Sequence, residues 1–429
     1  MRLPILTIDD VCSHQLCTGC GACAAMEPDR FRMGDDVTLG RRPFLKDNPA
    51  EETGDGLACC PGHSLEHDFD VAGSDILNEL VAGWGPVLEV WEGHASDADI
   101  RKSGSSGGAA SALSLFAIEE GGFDAVIHTA ARKDVPYLNR TVLSRSREAV
   151  LESSGSRYSP ASPCEVLGDV AKGQDTCVFV GKPCDVAAVS KAVRVDSDLD
   201  SRIGCTIAFF CAGTPSTFGT LELMKKVGVR DPATVKNLRY RGNGWPGMWT
   251  VTFYDGTEIS KELTYAESWG FLQRFRQWRC YICPDHTGEF ADIAVGDPWY
   301  REVEPGESGS SLIVVRTNRG RDFLRAAVAA GHITLTGKDA TLLPTSQPNL
   351  LATRGGLWMR LKVLSITGAA VPKYIGFPMF RFWVKFLTMT EKISSFTGTL
   401  KRVFKKKLRT RVPLREWSPD IDSKSGSAN

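Results

Sequence analysis

An α/β fold is predicted for this chain, because predicted strands alternate with predicted helices through its middle. The short apolar strand 177–180 is followed by an alanine-rich helical stretch at 185–192, and a second strand, 206–210, comes next. Further strands are expected at 249–254 and 311–315. We therefore expect a mixed α/β core with a partly parallel sheet, whose functional residues lie just past the strand ends.

The composition is that of an ordinary folded protein. Of the 429 residues, 42% are hydrophobic and 24% are charged, and the formal net charge is zero. That balance gives no overall attraction to nucleic acid. The start of the chain, MRLPILTIDD, turns acidic before any long apolar run, so we expect no secretory signal. No stretch offers the roughly 20 apolar residues of a membrane-spanning helix, and we expect a cytoplasmic protein.

Shifts in composition predict four units along the chain. Residues 1–74 are rich in Gly, Pro, Asp and Cys, which indicates a cysteine-rich module held by something other than a core. Residues 75–168 and 169–345 carry the alternating strands and helices, with a Gly/Ser-rich loop in the first of these two units. Residues 346–429 form a basic tail with amphipathic stretches.

The cysteines near the start of the chain have the spacing of metal ligands. Cys17, Cys20 and Cys23 form a C-x2-C-x2-C run. Three thiolates so closely spaced favour an iron–sulfur cubane over zinc, whose sites usually present two separated pairs. In bacterial ferredoxins a fourth cysteine and a proline follow this run. Here Glu27 stands before the proline, so the fourth ligand must come from elsewhere.

Two cysteines are candidates for that fourth ligand. Cys60 carries its own Cys-Pro signature, and Cys12 would extend the run to C-x4-C-x2-C-x2-C. We prefer Cys60 and keep Cys12 as the alternative. The chain has 13 cysteines; without a secretory signal, metal binding or burial is expected for them rather than disulfides.

A second C-x2-C element, Cys280 and Cys283, lies far from the first run. A cysteine pair alone is a weak signal, but combined with other distant cysteines it predicts a metal cluster assembled from several parts of the fold. Cys184 and Cys211 each follow a predicted strand. The run 291–299 comes shortly after the pair and is expected to be part of the same environment.

A Gly/Ser-rich loop at 101–108 leads into a predicted helix at 109–118 and a buried strand at 123–128. Exposed amides and the positive end of the helix dipole attract phosphate, and Lys102 and the serine hydroxyls add to this attraction. A flexible loop without a ligand is the alternative interpretation. The run 239–247, dense in glycine and aromatic residues, predicts either the start of a hairpin or the wall of a ligand site.

The tail alternates aromatic and basic residues. Residues 380–387 are expected to form an amphipathic helix, 401–409 are strongly basic, and 418–429 are expected to be disordered. Such a segment can act as a peripheral anchor on an anionic membrane surface at the inner face. It can equally dock on the protein itself or on a partner.

Together these motifs resemble the beta subunits of coenzyme F420 hydrogenases and dehydrogenases, a family of iron–sulfur flavoproteins. The resemblance covers residues 10–335. The family includes the reductases of 7-hydroxymethyl chlorophyll a and divinyl chlorophyllide, and proteins of bacterial polysaccharide gene clusters with no assigned substrate. The markers here are the segments 17–23, 60–62, 105–108, 181–184, 210–211, 244–247, 280–283 and 291–299.

The resemblance implies non-covalent FAD and one or two 4Fe-4S clusters on a flavin-binding core, with a ferredoxin-like iron–sulfur module before it and a basic helical tail after it. It implies one cluster on Cys184, Cys211, Cys280 and Cys283 and another on Cys17, Cys20, Cys23 and Cys60. It implies that the flavin is lined by Lys102, Ser103, Ser105, Ser106, Gly107, Gly108, Arg157 and Tyr158.

The expected activity is that of an oxidoreductase passing electrons between coenzyme F420 or ferredoxin, the clusters, FAD and a small-molecule acceptor. The alternatives are a non-catalytic electron-transfer subunit that serves a partner redox subunit, or a reductase of unknown substrate from a polysaccharide cluster. His128, at a predicted strand end, is a candidate proton donor or a structural histidine.

Overall fold

The computed structural model describes residues 3–67, 69, 75–259, 262–304, 306–418 and 421. The predicted disordered end, 418–429, therefore lies outside the described residues except for two positions. The strands are β1 Phe31–Asp36, β2 Gly40–Leu45, β3 Ser64–Glu66, β4 Glu89–Ala95, β5 Ala125–Ala131, β6 Asn139–Ser144, β7 Cys177–Gly181, β8 Ile203–Phe209, β9 Val235–Arg239, β10 Met248–Phe253, β11 Leu263–Thr264, β12 Ile293–Gly296, β13 Ser311–Val315, β14 Ile333–Lys338 and β15 Lys373–Ile375.

Helices precede, separate and follow these strands. They are α1 Ile8–Ser13, α2 Ala22–Met26, α3 Asp55–Ala58, α4 Asn78–Trp84, α5 Ala98–Ser103, α6 Ala109–Glu119, α7 Arg147–Glu152, α8 Leu167–Lys172, α9 Pro183–Val195, α10 Ser197–Arg202, α11 Thr217–Lys226, α12 Tyr265–Leu272, α13 Asn318–Ala329, α14 Leu342–Ser346, α15 Asn349–Ile366, α16 Met379–Lys385 and α17 Met389–Lys405. Among the described residues, none of these helices has the length and apolar character needed to cross a bilayer.

One sheet of eight strands organises the core, in the order β14-β4-β13-β12-β8-β7-β5-β6. Its four central strands, β12, β8, β7 and β5, are parallel neighbours, and the strands on both sides of them are antiparallel. The prediction of a mixed α/β core with a partly parallel sheet is confirmed. Because the parallel strands all point the same way, the residues that follow them meet at one edge of the sheet.

Helices cover both faces of this sheet. In β7, Val178 packs with α6 and α13 on one face, whereas Phe179 packs with α8 and α9 on the other. Both side chains are fully buried. Successive residues of a strand point to opposite faces, so a strand buried on both sides appears as an unbroken apolar run. That is the pattern by which the strand was predicted.

Strand and helix positions agree well with the sequence prediction. The strand predicted at 311–315 matches β13, and the helix predicted at 109–118 differs from α6 by one residue. The strand predicted at 123–128 begins two residues later and ends three residues later as β5. α13 begins at Asn318, because Thr317 caps it by accepting a hydrogen bond from Gly320 N.

The first and last parts of the chain fold together. The β1–β2 hairpin and α1 bury apolar side chains such as Ile8 and Phe31 against Leu357 of α15 and Val403 of α17. β15 pairs in parallel with β3, and Trp417 N donates to Leu45 O at 2.8 Å. The cysteine-rich module therefore does have a core, and the C-terminal helices complete it.

A buried arginine ties this module to the large sheet. Arg41 in β2 pairs with Asp35 of β1 at 3.0 Å and with Glu165 at 2.7 Å, and its Nε donates to Ser162 Oγ at 2.9 Å. Residues 163–166 form a short helical turn before α8. The position of the module relative to the core is thus fixed by charged hydrogen bonds, which are stronger than neutral ones.

Val403→Asp is expected to destabilise the packing of α17, whereas Phe404→Asp, the next residue, is expected to be tolerated. Val403 is 1% exposed and Phe404 is 61% exposed, so only the first change buries an unpaired carboxylate. We expect a loss of more than about 2 kcal/mol for Val403→Asp, measured by denaturant unfolding together with limited proteolysis of the tail. Equal effects of the two variants would contradict the described packing.

Candidate metal centres and the adjoining cavity

Four sequence-distant cysteines meet at the carboxyl edge of the parallel strands. Cys184 lies in the first turn of α9, directly after β7, and Cys211 follows β8 by two residues. Cys280 lies in the 3₁₀ turn Trp278–Ile282, and Cys283 follows that turn. Burial raises the pKa of Cys184, and the charges of Cys211 and Cys283 add to the shift. The charge of Cys280 likewise adds to the burial that raises the pKa of Cys211 and of Cys283. The four thiols therefore lie within electrostatic reach of one another.

Backbone amides point at two of these sulfurs. Gly213 N donates to Cys211 Sγ at 3.4 Å, and Thr214 N donates to Cys280 Sγ at 3.3 Å. Bonds of this kind stabilise a thiolate and tune a cluster that it holds. Burial raises the pKa of Cys211 to about 12. Without a metal this thiol is therefore protonated at neutral pH, and metal binding would release its proton.

The N-terminal cysteines form a second set. All six pairs among Cys17, Cys20, Cys23 and Cys60 are close enough for one thiolate to shift the pKa of the other. Burial is the largest cause of the raised pKa of Cys60, which is about 12. Gly19 N donates to Cys17 Sγ at 3.3 Å. A backbone amide within the run thus points at one of its own sulfurs.

Two further cysteines touch this set. The Cys12 thiol hydrogen-bonds with Cys17, and this bond, with help from Arg42, lowers the pKa of Cys17 to about 7. The hydrogen bond to Cys17 is the largest cause of the raised pKa of Cys12, and burial and the thiols of Cys17 and Cys23 add to it. Cys164 hydrogen-bonds with Cys20. Cys164 could not be predicted from the sequence, because it has no cysteine close to it in the chain and only the folded turn Pro163–Val166 brings it to Cys20.

Glu27 has a structural role at the position where a ferredoxin has its fourth cysteine. Its carboxylate is buried, and it accepts hydrogen bonds from Gly56 N at 2.9 Å and from Thr53 N at 3.3 Å. These amides belong to the segment that leads through α3 to Cys60. Glu27, which replaces the ferredoxin cysteine, thus holds in place the loop that carries Cys60, the preferred candidate for the fourth ligand.

A buried arginine lies between the two cysteine sets. Arg279 donates from Nη2 to Pro61 O at 2.9 Å, next to Cys60, and from Nη1 to Ile282 O at 3.2 Å, next to Cys283. Its charge acts on Cys17 as well as on Cys283. The two sets are therefore neighbours that share one cation.

Neither set has the geometry of a site for one ion. Among the described residues, no group of three or more His, Cys, Asp or Glu side chains is close enough to hold a metal ion. The thiols of each set nevertheless influence one another's pKa. A four-iron cluster is larger than one ion and holds its cysteine sulfurs farther apart. The donor chemistry, thiolates with N–H···S bonds, fits such a cluster.

A cavity of about 320 Å³ opens beside the C-terminal set. Its wall includes Cys211 and Lys182, the latter paired with Asp185 at 2.7 Å. Burial alone would lower the pKa of Lys182, but the Asp185 carboxylate outweighs burial and raises it. The first residues of α6, Ala109 and Ala110, also line the cavity. The first amides of a helix have no partner within it, so they are available to a bound anion.

Five of the eight residues predicted to bind a cofactor line this cavity: Ser105, Ser106, Gly108, Arg157 and Tyr158. The other three, Lys102, Ser103 and Gly107, do not. The Lys102 side chain is exposed, the Ser103 hydroxyl turns back to Ile100 O at 3.4 Å, and a side chain at Gly107 would collide with the backbone of Ser310. Lys102 is thus not at the cavity wall, and its part in phosphate binding stays a prediction.

The polar groups of two lining residues are already engaged by the protein. Ser106 Oγ donates to Ser310 O at 2.9 Å. Arg157 donates from Nε to Asn139 Oδ1 at 2.8 Å and from Nη1 to Leu238 O at 3.0 Å. From sequence alone, an arginine that binds a ligand cannot be told from one that donates to buried oxygens of the protein. The guanidinium of Arg157 donates to such oxygens.

An ion pair and stacked aromatic rings form another wall. Arg241 Nη2 pairs with Asp297 Oδ1 at 2.8 Å, and Trp245 Nε1 donates to the same oxygen at 2.8 Å. Trp299 stacks on Trp245 and on Tyr265, with ring centroids 5.2 and 5.6 Å apart. The run 239–247 was predicted to be either the start of a hairpin or the wall of a ligand site, and 291–299 to be part of the environment of the Cys280–Cys283 pair. Residues of both runs line this cavity.

Two histidines line the cavity. His128 Nε2 is 2.8 Å from Ser144 Oγ, and burial lowers the pKa of His128 to about 4. His286 Nδ1 is 2.8 Å from Cys211 O, which can only accept, so Nδ1 carries the proton. His286 Nε2 is buried and has no hydrogen-bond partner among the described residues. His286 was not predicted; its acceptor nitrogen is the free polar group at this wall.

Comparison with known proteins gives the family of the chain. Residues 90–167 match the N-terminal model, and residues 174–341 the C-terminal model, of the coenzyme F420 hydrogenase/dehydrogenase beta subunit. Together these models cover more than half of the 429 residues. The chain belongs to this family. Cys184 and Cys211 at the strand ends and the Cys280–Cys283 pair lie within the matched ranges, as do all residues lining the cavity except Gln347 and Leu350. The N-terminal cysteines and the tail lie outside them.

Two relatives and one solved structure are similar to this F420 hydrogenase/dehydrogenase beta-subunit homologue. An uncharacterized protein of Methanocaldococcus jannaschii is 26% identical, over 76% of this chain and 90% of its own length. Coenzyme F420 hydrogenase subunit beta of Methanosarcina barkeri is 25% identical, over 58% of this chain and 81% of its own. A chain of the F420-reducing [NiFe] hydrogenase complex from Methanosarcina barkeri superposes with a TM-score of 0.51 at 22% identity, covering 64% of this chain and 93% of that one, which supports the fold.

Cys60→Ser and Cys12→Ser distinguish the two candidates for the fourth N-terminal ligand. Cys60 is close to all three cysteines of the run, whereas Cys12 is coupled to two of them. We expect Cys60→Ser to lower the iron content of anaerobically purified protein by about one cluster and Cys12→Ser to leave it unchanged. The opposite pattern would assign the ligand to Cys12.

Proposed function

We propose that this chain is an iron–sulfur flavoprotein oxidoreductase that passes electrons between a carrier, coenzyme F420 or ferredoxin, 4Fe-4S clusters, FAD and a small-molecule acceptor. The observation that carries the proposal is the position of Cys211. It belongs to the set of four thiols at the strand ends, and it also lines the cavity. A cluster on that set would therefore lie directly against whatever the cavity holds.

The proposed ligands are the two sets of four. Cys184, Cys211, Cys280 and Cys283 would hold one cluster, and Cys17, Cys20, Cys23 and Cys60 the other. Buried cations support this assignment, because a cluster with four thiolates is anionic. Arg279 lies between the sets, Lys182 acts on Cys184 and Cys211, and Arg42 acts on Cys17.

The cavity is proposed to hold FAD. Its volume lies within the ordinary range for ligand sites, and the start of α6 offers amides to a phosphate. Trp299 and Tyr265 give it an aromatic wall. When bound, FAD would couple one-electron transfer by the clusters to two-electron reduction of an organic acceptor.

The protein's own residues would orient the ligand and shield it from water. Asp297 accepts from both Arg241 and Trp245, which fixes the aromatic wall against the glycine-rich loop. Arg241 Nη2 also donates to Ser105 O in that loop. His286 Nε2 would accept a hydrogen bond from the ligand, because its Nδ1 proton is committed to Cys211 O.

A non-catalytic electron-transfer subunit is the second candidate. The observation that favours it is that the Methanosarcina barkeri relative is named as a subunit of a hydrogenase. Such a chain would carry electrons for a partner redox subunit without its own acceptor.

Peripheral contact of the basic tail with an anionic membrane also stays a prediction.

The isolated chain distinguishes these candidates. We expect anaerobically purified protein to be brown, to contain iron and sulfide, and to retain FAD. With reduced F420 or reduced ferredoxin and a screen of organic acceptors, turnover supports the oxidoreductase. Clusters and flavin that are reduced by the carrier without turnover of any acceptor would favour the subunit role. A colourless protein with stoichiometric zinc would contradict both.

Cys280→Ser and Cys283→Ser should each remove the iron of one cluster and leave most of the FAD bound, because the cavity walls are otherwise intact. Cys177→Ser is the matched control. Cys177 is a buried cysteine of β7, and no other cysteine is among the causes of its raised pKa. Iron, sulfide and flavin analysis measures the effect. Unchanged iron in the first two variants would refute the proposed ligand set.

Ala110→Asp should lower FAD retention severalfold without unfolding the helix. A carboxylate in the first turn of α6 is favoured by the helix dipole, but it would repel a phosphate bound at the same amides. Ala110→Ser adds a polar group of similar size without charge and serves as the control. Flavin absorbance per protein is the readout. Equal flavin content in both variants would exclude phosphate binding at the first amides of α6.

A further inference from the structure

Six basic side chains, ranging from buried to exposed, surround Cys17 and Tyr281. We call them the cationic face: Arg42, Arg274, Arg276, Arg360, Arg402 and Lys406. Four of them, with Cys17, line a cavity of about 190 Å³, and no Asp or Glu is among the described residues that line it. None of the six forms an ion pair with a carboxylate within the described part of the chain.

The cations come close to one another. The Arg276 and Arg402 guanidinium carbons lie 4.8 and 4.7 Å from the centroid of the Tyr281 ring. Arg360 Nη1 donates to Tyr281 O at 2.7 Å, and burial, with the nearby charges of Arg402 and Arg276, lowers the pKa of Arg360 to about 10. Like charges at this spacing repel one another, so their arrangement favours an anionic partner.

Arg42 gives an independent indication. It is 8% exposed, its Nε has no hydrogen-bond partner among the described residues, and it lines the cavity beside Cys17. A buried guanidinium without a partner is costly. On its inner side the charge of Arg42 helps to lower the pKa of Cys17, a proposed cluster ligand. On its outer side it faces the open cavity.

Cys17 is the proposed ligand of the N-terminal set that is nearest to solvent. Cys20, Cys23 and Cys60 are buried, whereas Cys17 is only half-buried. The face spans Cys17 and Tyr281, which stands between the proposed ligands Cys280 and Cys283. Both cysteine sets therefore reach the surface through the same group of cations.

We propose that the cationic face is the docking surface for an acidic one-electron carrier protein. The face is built from separate segments, β2, the loop after α12, α15 and α17, so it is wider than a single phosphate or carboxylate. Redox encounters use small, electrostatically steered interfaces. In the step itself the reduced carrier loses one electron and this chain gains one, or the reverse, and no atom or proton is transferred.

The proposal rests on the proposed function, since it needs a cluster near Cys17. Four of the six cations, Arg42, Arg360, Arg402 and Lys406, lie outside the residues that the family models match, and the last three of these belong to the tail 346–429. The basic tail of this chain thus contributes to the redox face.

A charge-reversal experiment tests the docking surface. The double variant Arg274→Glu/Lys406→Glu changes two residues that have exposed or half-exposed side chains and no ion pair. The control is Lys236→Glu, an exposed cation on β9. The probe is an acidic two-cluster bacterial ferredoxin. Its equilibrium binding to the intact chain is measured by calorimetry, and the second-order rate of electron transfer by stopped flow, both at several salt concentrations.

We expect wild-type protein and Lys236→Glu to bind the ferredoxin with strong salt dependence, and the double variant to lose at least about tenfold in the electron-transfer rate constant at low salt. Absence of binding, or equal binding by all three proteins, overturns the proposal. Binding of free coenzyme F420 or of phosphatidylglycerol vesicles at this face, without ferredoxin, overturns it as well. Iron and flavin analysis of the same preparations shows separately whether the proposed function itself fails.

Discussion

The contact on which the rest of the site depends is the buried guanidinium of Arg279. Its two hydrogen bonds join Pro61, beside Cys60, to Ile282, beside Cys283. Hydrogen bonds from a charged donor contribute about 1.5–3 kcal/mol each, and the ring of Tyr374 packs 5.4 Å from the guanidinium. Arg279 thus adds a charged link to the apolar cluster in which Cys60 and Ile282 already share a core.

The direction of the parallel strands explains why the cavity lies where it does. Parallel strands deliver their following residues to one edge, so Cys184 after β7, Cys211 after β8 and Asp297 after β12 gather there. The start of α6 opens on the same space. The start of α6, the set of four thiols and the aromatic wall are therefore neighbours because of strand direction, although they are far apart in sequence.

Local signals in the sequence predicted much of the fold and part of the site. Apolar runs predicted β7 and β13, and cysteine spacing predicted residues that the structure brings together. The sequence could not reveal His286, Cys164 or the partnership of Glu27 with the loop before Cys60, because these depend on contacts between segments far apart in the chain. It also could not show that Arg157 faces carbonyls, since a cation before a turn appears the same whether it binds a ligand or satisfies the backbone.

The C-terminal tail shows how such contacts change an interpretation. By sequence, a run of lysines and aromatics after the sheet favoured a membrane anchor and a docked helix alike. In the structure, Val403 and Leu408 are buried in the core of the cysteine-rich module, while Arg402 lies over Tyr281. The buried residues fix the helix, and fixing the helix places its charges beside the proposed ligands. The apolar and basic residues of the tail thus act together: packing determines where the positive charge is presented, and that charge would favour the acidic partner that we propose.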